Sequence, residues 1–143
     1  MNVSIEFEKL QEILEWNACC KGGARYKASK AFAKANANLS LEEKLGLIKN
    51  VPNMGRAVRN EDGTITIHSV YYSDGEKYLC SCPNFNGIKR EYSVSKNYCF
   101  YCAGHFKYHY EIMLGFKLKT LEVLSSPLES DGKNPCIIKY EII

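Results

Sequence analysis

The chain predicts an α+β fold: N-terminal helices followed by an antiparallel sheet of about four strands, with one long helix packed on it. Three observations carry this. Apolar residues recur at intervals of three and four through the first fifty positions. The spacing switches to strict alternation at Thr64-Ile65-Thr66-Ile67-His68. Helical spacing then returns over Asn97–Leu114, before two further strand-like runs. On this reading residues 1–50 form a helical segment. Residues 51–143 form an α+β, cysteine-rich, ligand-binding-like domain, and the two make one compact unit.

In order along the chain, Ser4 caps a first helix whose apolar stripe is Phe7, Leu10, Ile13, Leu14 and Trp16. Gly22-Gly23 stops it. Ala24–Ala37, rich in Ala and Lys with Tyr26 and Phe32 on a narrow apolar stripe, predicts a second helix. Ser40-Leu41-Glu42-Glu43 is a capping box that opens a third, ending near Asn50 before Pro52. Thr64–His68 is a half-buried strand. Asp74-Gly75 is a hairpin signal, and Lys77–Cys82 is the return strand that Pro83 ends. Asn84–Ser95 is a loop. Over Asn97–Leu114 one helical face collects Cys99, Ala103, Phe106, Tyr110 and Met113, and Gly115 is the stop. Phe116–Leu124 and Cys136–Ile143 are two strands joined by Ser125–Asn134, a connection longer than a tight turn.

Composition narrows the function classes. The chain has 143 residues, a formal charge of +3, 45% hydrophobic and 24% charged residues, which is ordinary globular composition. The charge is too small to argue for nucleic acid, and the acidic first helix (Glu6, Glu8, Glu12, Glu15) opposes it. Uncharged stretches such as Gly63–Ser73 are too short to span a membrane, and no apolar signal-peptide core opens the chain. The expectation is a soluble cytoplasmic protein without nucleic-acid or membrane partners.

The unusual feature is seven cysteines. The proportion is below the roughly 8–10% of a disulfide scaffold, and the count is odd. In a reducing compartment clustered thiols point to metal or redox chemistry. Cys80 and Cys82 lie two apart on a predicted strand, so their side chains share a face. Cys99 and Cys102 lie three apart at the start of a predicted helix, where they are neighbours. Two local pairs are how tetrahedral zinc is caged, with little loop entropy to overcome. The expected metal ligands are therefore Cys80, Cys82, Cys99 and Cys102, with zinc as the metal; an iron–sulfur cluster suits the same thiolates. Buried packing as small hydrophobes is the plainer role for the same residues.

Cys102, His105 and His109 fall within about 60° of one another on the helical wheel. A Cys with a His one turn away is a candidate nucleophile–base pair or an auxiliary ligand pair. The plainer alternative sets both histidines on a solvated flank beside Lys107 and Tyr108. Cys19 and Cys20 could supplement the site if the first helix end folds over it. Cys136 is expected to pack in the core, and His68 to stand on a solvated face. Ten Tyr, six Phe and one Trp, many of them near the thiol segments, suit either a small-molecule pocket or a mixed core.

The stretch from Cys99 onward carries a resemblance. A Cys-bearing helix with Ala103-Gly104 runs into Leu114-Gly115-Phe116, then a strand with Glu122, a loop with Asp131-Gly132 and the Cys136–Ile142 strand. This resembles the C-terminal half of the 4-vinyl-reductase-like small-molecule-binding domains. It is more similar to a set of bacterial proteins allied to the L-2-amino-thiazoline-4-carboxylate hydrolase-like group, as are the paired N-terminal cysteines and Cys80-Ser81-Cys82-Pro83. The resemblance implies an α+β ligand-binding fold, often a homodimer, sometimes with zinc held by Cys and acidic side chains. Cys99 or Cys102, and Cys136, fall at the family's Cys positions. Ser125 stands three residues after Glu122, where related domains often carry Cys, and no catalytic set matches.

The functional expectation is a small-molecule-binding or sensor-type domain with a Cys-ligated metal site and a small hydrophobic or aromatic-compatible ligand. The alternative is a small thiol-dependent or hydrolase-like enzyme using a Cys/His pair.

Overall fold

The computed structural model describes residues 3–16, 21–69, 72–73, 78–79, 99–130 and 133–143. The helices are α1 (Val3–Trp16), α2 (Gly23–Ala35), α3 (Leu41–Ile48), α4 (Phe100–Leu114) and the single turn α5 (Pro127–Ser130). The strands are β1 (Arg56–Arg59), β2 (Ile65–His68), β3 (Tyr72–Ser73), β4 (Tyr78–Leu79), β5 (Leu118–Ser125) and β6 (Ile137–Ile142). Four of them form one antiparallel sheet in the order β1-β2-β6-β5. The α+β class, the N-terminal helices and the four-stranded sheet are those the sequence predicts. No helix among the described residues is long and apolar enough to cross a membrane.

Local chemistry accounts for the helix ends. Ser40 caps α3 by accepting from the Glu43 amide at 3.2 Å, and its hydroxyl donates to the Glu43 carboxylate at 3.2 Å. Gly115 closes α4 in the left-handed conformation (φ 79°), its amide reaching the Glu111 carbonyl at 3.0 Å. α1 opens at Val3, so Ser4 sits inside its first turn and not at the cap. Its stripe also differs from expectation. Leu14 packs on the core, whereas Leu10, Ile13 and Trp16 are exposed. The reason is a close crossing: α1 meets α4 at Gly104, where a Cβ would collide with the backbone of Glu15. That crossing turns Leu14 inward.

The sheet is assembled differently from the expected hairpin. Ile65–His68 does not pair with Tyr78–Leu79, the described part of the expected return strand. Its partners are β1 on one side and β6 on the other. The β1–β2 turn is held by Asn60, whose amide reaches the Thr64 carbonyl at 2.8 Å, and by Asp62, which accepts from the Thr64 amide at 3.0 Å. β3 and β4 pair separately, Tyr72 with Leu79 and Ser73 with Tyr78. The Asp74-Gly75 turn and Cys80–Cys82 lie outside the described residues. In β5 an irregular register between Thr120 and Glu122 breaks the alternation, so Leu118, Thr120 and Val123 are buried while Leu121 is exposed.

The core joins one side of α4 (Ala103, Phe106, Tyr110, Met113) to Ile65, Ile67, Leu118, Val123, Ile138 and Tyr140 of the sheet. These α4 residues are the face expected from their spacing. Two buried phenols tie it down: Tyr140 donates to the Ala103 carbonyl at 2.7 Å and Tyr110 to the Met54 carbonyl at 2.8 Å. α1 and α2 cover the flank of α4 that carries Gly104, His105 and His109.

Candidate thiol-rich site

Strand directions bring the described thiols to one end of the molecule. β6 begins at Ile137, which pairs with Ser125 at the end of β5 and with His68 at the end of β2. Cys136 therefore sits where β2 leaves the sheet, and its carbonyl accepts from the Ser69 amide at 3.1 Å. Cys99, buried at the start of α4, stands beside Cys136; Cys102, one turn on, is half-buried against the same core. Cys99 and Ser69 bound the stretch 70–98 that carries Cys80 and Cys82, so both ends of that stretch meet Cys136. β4, which leads directly into Cys80, packs against α5, the turn that follows β5 at this same end.

At this end Cys136 and Tyr140 are both held in their protonated forms. Burial, and then the neighbouring Cys99, push the Cys136 thiol up to about 12. Burial also holds the Tyr140 phenol well above its ordinary range, with Glu15, Cys136 and Cys102 adding to it. Cys136 is half-buried and packs against the core, the role expected of it. Among the described residues, no three of His, Cys, Asp and Glu are grouped to hold a metal ion. Cys99 and Cys102 form one local pair. Cys80, Cys82, Cys19 and Cys20 lie outside the described residues.

The histidines differ from the plainer expectation. His105 and His109 do not decorate a solvated flank: they are 6% and 0% exposed. Their rings lie 4.7 Å apart, and His109 Nδ1 shares a hydrogen bond with the Ser29 hydroxyl of α2 at 3.1 Å. The cause is α1 and α2, which lie over this flank. His68, expected on a solvated face, is half-buried. Burial, and then Arg56 beside it, hold its imidazole below the usual value.

Two clefts run beside α1. One of about 380 Å³ has Trp16 and Tyr108 as walls and Lys107 and Glu15 on its lining. Lys21 lies between the two rings, 5.5 Å from Trp16 and 5.4 Å from Tyr108, and donates to the Trp16 carbonyl at 2.8 Å. The other, of about 560 Å³, lies between α1 and β5. Of the tyrosines near the thiol segments, which suit either a pocket or a core, Tyr108 walls this cleft and Tyr110 is in the core. A third cleft, at Arg56 and His68, uses residues that the sequence pattern does not single out as a site. The only sequence signal for it is the basic pair Lys49 and Arg56 flanking Pro52-Asn53. Comparison of the chain with protein-family models, with curated proteins and with solved structures finds no match.

Proposed function

We propose that the chain is a small-molecule-binding or sensor-type domain stabilised by a zinc-like metal site of Cys80, Cys82, Cys99 and Cys102. The observation that supports this reading is the convergence at Cys136. The stretch that carries the first thiol pair is bounded by Ser69 and Cys99, both beside Cys136. Bringing Cys80 and Cys82 to Cys99 and Cys102 then requires closing only one loop whose ends already meet. The donor set fits a soft thiophilic metal, since two thiols one helical turn apart supply half of a tetrahedral cage. Four thiolates leave no open position for water, so the metal would act as a cross-link. The aromatic-walled cleft of Trp16 and Tyr108 supports the ligand-binding half of the reading.

Elemental analysis of the purified full chain tests the metal site. The expected result is about one zinc per chain, kept in Cys136→Ser and lost when Cys80, Cys82, Cys99 or Cys102 becomes Ser. Metal below about 0.2 per chain overturns the reading. Iron with visible absorbance reassigns the same four thiols to a cluster.

A further inference from the structure

The third cleft lies on the first hairpin of the sheet, and no cysteine among the described residues lines it. Arg56 of β1 and His68 of β2 are in direct register. Directly opposed residues on one sheet face have Cβ atoms about 4.5–5.5 Å apart, and like charges so placed repel. The loop from α3 to β1 runs beside them and completes a cleft of about 330 Å³. Lys49, Arg56 and His68 line it with Asn50, Asn53 and Ser69, and among the described residues no carboxylate does. Among the described residues neither Lys49 nor Arg56 has an ion-pair partner, whereas Arg59 is paired with Glu42 at 3.1 Å and Lys139 with Asp62 at 3.5 Å.

The cleft is built in advance of any ligand. Met54 is fully buried, and its carbonyl is held by the Tyr110 hydroxyl at 2.8 Å. Asn53 and Gly55 on either side of it are both left-handed, with φ 64°. At Gly55 a side chain is excluded twice over, because a Cβ would also collide with the His68 carbonyl. The loop is therefore pinned against β2, and little ordering remains to be done on binding. A preformed concavity with two cations that lack a carboxylate partner among the described residues, one of them set against an imidazole, is relieved by an anion placed among them.

We propose that this cleft binds a small oxyanion, the phosphoryl or carboxylate group of a small-molecule ligand. The Arg56 guanidinium is the planar fork that grips it, Lys49 supplies a second charge, and His68 with Ser69 forms the floor. The site is independent of the thiol cage and survives the failure of that reading.

The test is NMR of the full chain, following the His68 ring during titration with inorganic phosphate and, separately, acetate at constant ionic strength. The chain has only three histidines, and His105 and His109, buried under α1 and α2, serve as internal controls. The expected result is a saturable shift of His68 alone. Arg56→Gln should weaken binding at least about tenfold, and Lys49→Gln by less. Both side chains are exposed, so the variants keep the fold. Tighter phosphate binding identifies a phosphoryl ligand, and tighter acetate binding a carboxylate. A shift that fails to saturate with either anion by roughly 20 mM, or saturation unchanged in Arg56→Gln, overturns the proposal.

Discussion

The two sides of α4 contrast in chemistry although both are covered by other elements. Towards the sheet the helix presents Ala103, Phe106, Tyr110 and Met113, an apolar surface whose one polar tip, the Tyr110 hydroxyl, has a partner. Towards α1 and α2 it presents Gly104, His105, Lys107, Tyr108 and His109. Here contact is made by a glycine crossing, a His–Ser hydrogen bond, a long ion pair of 3.8 Å between Lys107 and Glu15, and stacked Tyr26 and Tyr108 rings. The first side holds by removing apolar surface from water, the second by geometric fit and polar pairing. Burying apolar area stabilises more than polar pairs that merely replace contacts with water. The sheet side therefore sets global stability, and the helix side sets whether α1 and α2 stay docked.

Truncation on the sheet side should do the most damage. Phe106→Ala is expected to cost about 3–5 kcal/mol in urea unfolding, because it empties a buried core site beside the Tyr110 ring. On the other side, Gly104→Ala should cost about 1–3 kcal/mol, since the new methyl must displace the Glu15 backbone. Its signature is local. Hydrogen exchange should quicken in α1 while the sheet amides stay protected. Uniform loss of protection would show that the two sides act as one unit.

The smallest effect comes from alkali. Burial raises the folded Cys136 thiol from 9.0 to about 12, so the unfolded chain releases that proton first. The associated stability is complete below pH 9 and drains away as pH climbs towards 12. About 1 kcal/mol should be gone by roughly pH 9.5, with the Tyr110 phenol, also raised by burial, adding at higher pH. Cys136→Ala should flatten this slope. A slope unchanged in that variant would place the titrating group elsewhere.

Much of this contrast is legible in the sequence. The spacing of Cys99, Ala103, Phe106, Tyr110 and Met113 announces the apolar side of α4, Gly115 its end, and Ser40 with Glu43 the start of α3. These are local signals, written within one or two turns. The polar side is not legible, because His105 and His109 read as surface until two distant helices cover them. β1 escapes notice for a related reason. Arg-Ala-Val-Arg is short and charged, and its strand character comes from pairing with β2. The Lys49, Arg56 and His68 cleft depends on that same pairing. The thiol end is half legible: spacing marks Cys99 and Cys102 as neighbours, but only strand order brings Cys136 to them.

Strand order has a kinetic consequence as well. β6 lies between β2 and β5, so the sheet joins the hairpin on one side to the long edge strand on the other through it. Nucleation can begin locally, in the β1–β2 hairpin or where α4 turns into β5. Closure must wait for β6, which pairs locally with β5, to reach β2 far back along the chain, which makes that pairing the slow, high-contact-order step. Until then two unpaired sheet edges face each other, and a chain stalled there is the species most prone to associate with its own kind.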